Sequence, residues 1–191
     1  MTHENRNSQF AAQLLRPENP GNDSTWAFVI LPKKVSAKLS RRGRITVHGT
    51  INGQAFQALL EPDGQNSHWL RVDEALLKTS GVDFGEVADF DIVALAHEPE
   101  PETPTDLASA LKASPRAKAT WEDTTTIARL DWIHWITSAK QAKTRTKRIN
   151  NACDMLASGK KRVCCFDPSG FYSKAFSAPK VMEQLIEASE Q

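Results

Sequence analysis

Seven residues divide this chain into two halves of different character. His97-Glu98-Pro99-Glu100-Pro101-Glu102-Thr103 holds three carboxylates and two prolines. A prolyl nitrogen cannot donate to a sheet ladder and neighbouring like charges repel, so this stretch should run extended in water as a linker. Before it, apolar residues recur at every second position. After it, they recur at every third or fourth. A chain with that switch is no βαβ repeat and no uniform helical array, and its expected class is α+β, with strands first and helices second.

The first half, residues 10–96, reads as a small β-barrel behind a loose terminus at 1–9. Phe10 to Leu15 suits a strand stopped by Pro17, and Thr25 to Leu31 is apolar on both faces and stopped by Pro32. Lys33 to Ser40 allows a short helix. Ile45, Val47, Gly49 and Ile51 alternate with polar residues, and Asn52-Gly53 supplies the positive φ angles of a tight hairpin turn. Phe56 to Leu60 returns, and His68 to Val72 makes a further strand. Asp73 caps a helix that Gly81 ends, and Phe90 to Ala96 closes the set. Short strands separated by turns fit a closed or nearly closed barrel.

The second half, residues 104–159, reads as a helical bundle. Thr105 to Ala113 and Ser114-Pro115 through Trp121 are short helices, and Asp123 or Thr124 should cap a third. Trp132, Trp135, Ile136, Ala139 and Ala142 form one stripe, continued in phase by Ile149, Ala152, Cys153 and Leu156. An unbroken helix from Thr124 to Ser158 would be about 50 Å long, too long for two short helices to cover. A break near 140–144 is therefore expected. Residues 160–191 form an extension with Pro168, Gly170 and a weak amphipathic segment around Val181, Leu185 and Ile186.

Charge is balanced overall at +1 but unevenly placed. From Trp132 to Arg162 there are eight Lys or Arg against Asp154 alone, a local +7 that leaves −6 for the rest. A chain 40% hydrophobic and 25% charged is globular rather than disordered. No apolar run reaches the ~20 residues of a membrane span. The polar start lacks the order of a signal peptide, and three cysteines make no disulfide framework, so a reducing cytoplasm is expected.

Residues from Phe10 to Ala96 resemble a small barrel family of unknown function. The resemblance rests on Pro32, Gly43-Arg44, Val47-His48-Gly49, Ile51-Asn52-Gly53, Pro62 with Gly64, Leu70-Arg71-Val72, and Gly81 with Gly85. It implies a double-split β-barrel, related in shape to the AbrB and MazE type. Residues from Pro104 to Gly159 resemble the helical domain of YdeI/OmpD-associated, or bacteriocin-protection, proteins. They do so through Asp106-Leu107, Ala110-Leu111, Trp132-Ile133 or Trp135-Ile136, Ala139-Lys140, Thr144-Arg145 and Arg148-Ile149. The chain departs from these families at Glu86, where Asp is usual, and at Lys143, where Glu is usual. The second departure makes the helix more cationic. The resemblance implies a cytoplasmic bacterial accessory protein linked to tolerance of antimicrobial peptides, and it implies no catalytic residue.

The candidate site is the basic face of Lys140, Lys143, Thr144, Arg145, Lys147 and Arg148, suited to an unknown anionic or protein partner. Binding a partner is favoured there over anchoring to carboxylates such as Glu98 or Glu100. The alternative is nucleic-acid binding, with Lys33, Lys34, Lys38, Arg41, Arg42 and Arg44 of the barrel as a second basic group. Trp121, Trp132 and Trp135 are expected in the core rather than stacked on bases. Cys164-Cys165 lacks a second pair or a His at ligand spacing, and His48, His68, His97 and His134 are scattered. With no Gly-rich phosphate loop and no nucleophile elbow, the expectation is no enzyme, no metal and no cofactor.

Overall fold

A computed structural model describes residues 7–21, 25–163 and 176–182. Two compact units emerge. One takes the described residues up to 96 together with 176–182, and the other takes those from 97 to 163.

The first unit is a six-stranded antiparallel sheet in the order β1-β6-β3-β4-β5-β2. Its strands are β1 (Ser8–Gln13), β2 (Trp26–Ile30), β3 (Ile45–Ile51), β4 (Gln54–Pro62), β5 (His68–Asp73) and β6 (Val87–Ala94), with helices α1 (Lys33–Ser36) and α2 (Glu74–Ser80). The hairpin forms where Asn52 and Gly53 take φ of 47° and 83°, setting Ile51 opposite Gln54. The same register puts Ile45, Val47 and Ile51 inside, along with Leu60 of β4. The two edge strands meet, because Leu15 and Phe28 exchange backbone hydrogen bonds of 2.8 and 2.9 Å. The sheet thus curls until its edges touch, which leaves little unpaired edge for a second chain to join.

Asp73 caps α2 by accepting from the Leu76 amide, and Gly81 ends it. Other boundaries move. Ser8 pairs with Ile92 and is buried, so β1 begins inside the expected loose terminus. The α1 helix stops at Ser36 instead of Ser40, and β6 runs from Val87 to Ala94 instead of from Phe90 to Ala96. The extension also has a structural place. Glu18 donates to Lys180 and Met182 to Arg16, so a segment remote in sequence pairs with the chain just after β1.

The second unit consists of α3 (Thr105–Ala113), α4 (Pro115–Glu122), α5 (Thr126–Thr137) and α6 (Ala142–Ala157). Residues 95–104 carry no regular structure. Pro115 opens α4 at its first turn, where a missing amide is harmless. Thr125 caps α5, accepting from the Ala128 amide, in place of the expected Asp123 or Thr124. Trp132 (0% exposed), Trp135, Ile136, Ile149, Ala152 and Leu156 pack with Leu107, Leu111 and Trp121 into one core. The stripe is not continuous. It breaks at 138–141, where Ala139 is half-buried, and Ala142 is exposed. Each side of the break supplies its own apolar face to a shared interior.

Candidate functional site

The basic stretch separates into two kinds of residue once folded. Lys140, Lys143 and Lys147 are exposed, and none has an ion-pair partner among the described residues. Thr144 is half-buried. Arg145 and Arg148 point elsewhere.

Arg145 grips Asp106 at the start of α3 with two parallel bonds, Nε to Oδ2 at 2.6 Å and Nη2 to Oδ1 at 3.0 Å. This fork geometry fits a carboxylate and ties α6 to α3. The guanidinium holds the Asp106 carboxyl below its usual range, and the Asp106 carboxylate in turn raises Arg145. Arg148 turns back toward α5. It donates to the Trp135 carbonyl and to Ser138 Oγ at 3.1 Å, and its guanidinium lies 5.4 Å from the centre of the Trp135 ring. The last carbonyls of a helix lack partners within the helix, so Arg148 closes α5 from outside. The break near 140 is stabilised by this side chain.

A third arginine follows the same pattern. Arg129 donates to the carbonyls of Trp121 (3.2 Å) and Thr124 (2.7 Å) at the end of α4. It also forks onto Glu100, at 2.5 and 2.8 Å. Glu100 is held low in pKa chiefly by that bond. The acidic segment is therefore fastened at Glu100, which Arg129 and the Thr126 hydroxyl hold. Sequence reasoning missed Arg129, since it lies outside the charge cluster and carries no motif.

In the first unit the second basic group also separates. Arg44 is buried and pairs with Glu61 at 2.9 Å, with its guanidinium 5.6 Å from the Phe176 ring. Arg41 and Arg42 stay exposed. Beneath them His68, 1% exposed, stands between Ser36 Oγ at 2.7 Å and the Gly43 carbonyl at 3.0 Å. A carbonyl only accepts, so Nε2 carries the proton and Nδ1 accepts from the Ser36 hydroxyl. Burial lowers the pKa of His68, which keeps it neutral. Ser36 and His68 are 32 positions apart, and no local pattern announces the pair.

Among the described residues no group of three or more His, Cys, Asp or Glu could hold a metal ion, and no helix is long and apolar enough to cross a membrane. Cys153 is a half-buried free thiol whose pKa burial pushes up. Cys164 and Cys165 lie outside the described residues, as do Pro168, Gly170, Leu185 and Ile186.

Comparison with known families fits this two-part construction. Residues 10–92 match a domain of unknown function, DUF1905. Residues 100–159, which hold all three capping or clamping arginines, match the family described as bacteriocin-protection, YdeI or OmpD-associated. No curated protein matches the chain. The chain thus joins a segment similar to DUF1905 to a segment similar to the YdeI/OmpD-associated, bacteriocin-protection family.

Proposed function

We propose that this protein is a non-enzymatic accessory protein, cytoplasmic, that supports tolerance of bacteriocins or related antimicrobial peptides by binding an anionic partner. The observation that carries the reading is the unequal use of the basic face. Arg145 and Arg148 hold α6 in place, while Lys143 and Lys147 remain exposed on the fixed helix beside Thr144, and Lys140 is exposed in the turn that precedes it. A rigid helix presenting ammonium groups loses little entropy on meeting an acidic surface. The family description of residues 100–159 supplies the link to bacteriocin protection.

The same reading takes the curled sheet as a double-split β-barrel over 10–96 and the helices of 104–159 as a bundle, joined by the linker at 97–103. Contact of the sheet's edges at Leu15 and Phe28 supports the first, and the shared core around Trp132 the second.

The decisive test is growth of cells lacking the gene, challenged with a bacteriocin and complemented with either the natural protein or Lys140→Glu/Lys143→Glu/Lys147→Glu. The natural protein restores tolerance and the triple variant does not, while both melt alike. Equal rescue by the two would sink the lysine face as the site. Steeply salt-dependent binding to generic duplex DNA that the triple variant loses would redirect the reading to nucleic acid. The Ser36–His68 contact has the form of a hydroxyl beside a base. Nitrophenyl esters incubated with the protein should nevertheless stay intact, and turnover abolished by Ser36→Ala would overturn the non-enzymatic part.

A further inference from the structure

The first unit contains a cavity of 550 Å³ that the basic-helix reading does not use. That volume falls within the ~300–1,000 Å³ typical of small-molecule sites. Its wall is built from three segments: the turn after α1, the Pro62–His68 loop, and Phe176 from the returning tail. The tail fits closely. Gly64 has φ +74°, and a Cβ there would sit 2.0 Å from the Phe176 carbonyl oxygen.

The lining combines two chemically distinct sets of residues. Arg41 and Arg42 make one, exposed and with no carboxylate among the lining residues. Arg41 has no ion-pair partner among the described residues, and Arg42 meets only the neutral side-chain oxygen of Asn66, at 3.3 Å. Leu39, Pro62 and Phe176 supply the apolar set. The polar groups below are satisfied internally, since Ser36 donates to His68 and Ser67 to the Leu31 carbonyl. Asp63, the nearby acid, is not among the lining residues, and its Oδ1 accepts from the amides of Gln65 and Ser67. The positive charge in this cavity therefore comes from the two arginines alone.

We propose that this cavity is a binding site for a small organic phosphate monoester, its phosphate on Arg41 and Arg42 and its apolar group against Leu39, Pro62 and Phe176. Two uncompensated guanidinium groups match the double charge of a phosphate monoester better than the single charge of a carboxylate, and each guanidinium can donate to two phosphate oxygens. The chemistry stands apart from the lysine face and does not depend on it.

Calorimetric titration of the full chain with phenyl phosphate, inorganic phosphate and benzoate tests this. Phenyl phosphate should bind saturably at one site and more tightly than either of the others. Arg41→Ala/Arg42→Ala should weaken it about tenfold or more, the scale of a lost charge-assisted contact, with the melting temperature unchanged because both side chains are exposed. Phe176→Ala should weaken phenyl phosphate while leaving inorganic phosphate as it was. The proposal is overturned if phenyl phosphate shows no saturable binding, if the double arginine variant binds it unchanged, or if benzoate binds as well. These outcomes leave the bacteriocin test untouched, so either reading can fail alone.

Discussion

Arg145 and Arg148 stand three residues apart in one charge run, yet their partners make them unequal. The Arg145–Asp106 fork is partly solvated, with side chains 31% and 44% exposed, so screening limits it. Arg145→Ala should cost no more than about 1 kcal/mol. Arg148→Ala removes a charged donor from the Trp135 carbonyl and Ser138 Oγ, leaving that carbonyl only the Ser138 hydroxyl at 3.0 Å, and about 1.5–3 kcal/mol, the scale of a hydrogen bond to a charged group, is expected. Urea unfolding of the two single variants checks the order, and an equal effect would refute the capping role of Arg148. His68 gives a pH signature. Its pKa is lowered in the fold by burial, so the unfolded chain takes up a proton first as pH falls. The stability that neutral His68 contributes is present above its ordinary value of about 6.5 and is lost as pH drops below it, down to the folded value. The Asp106 and Glu100 carboxyls, lowered by Arg145 and Arg129, weaken the fold only at more acid pH, below the ordinary carboxyl range of about 4. His68→Gln should flatten the melting-temperature profile just below pH 6.5 and leave the acid limb in place.

Among the elements, β3 and β6 approach closely at Gly49. Gly49 faces Ile92 in that pair, and a Cβ at Gly49 would come within 1.9 Å of the Asp91 carbonyl oxygen. Backbone cannot give way as a flexible side chain can. Gly49→Ala should therefore separate the two strands and destabilise the sheet by about 1–3 kcal/mol, the scale of overpacking. Thermal unfolding followed by circular dichroism would detect it, and a neutral outcome would contradict the close strand approach. The α5–α6 pair shows the opposite case, where sequence alone leaves the break weakly specified. Residues 138–141 contain no Pro or Gly, and Gln141 offers no side-chain cap. The break is fixed by Arg148 reaching back and by two apolar faces that must share one core.

At the scale of the whole molecule, the returning tail matters most. Backbone bonds from Glu18 to Lys180 and from Met182 to Arg16, with Phe176 over Arg44, give residues 176–182 a place in the first unit. A chain truncated after Ala175 should lose hydrogen-exchange protection at the Glu18 amide, while amides of Trp132 to Ile136 keep theirs. Unchanged protection at Glu18 would show that the pairing contributes little in solution. The family matches end at 92 and 159, so this tail lies outside both.

Local rules made much of the architecture legible. The alternation around Val47, the Asn52-Gly53 turn, the Asp73 cap and the Trp132–Trp135 spacing each depend on neighbours within a few residues, and each is readable from the chain. The charge run was readable as well, but its partners were not. Asp106 lies 39 positions from Arg145, Glu100 lies 29 from Arg129, and Ser36 lies 32 from His68. A guanidinium or an imidazole can meet any suitable group the fold brings near, and its sequence neighbours do not restrict the choice. The amino-acid sequence by itself determined the α+β class and which faces turn inward, because burial follows periodicity. Only tertiary structure decided which cations hold the fold together and which stay exposed, because that depends on contacts made across long stretches of chain.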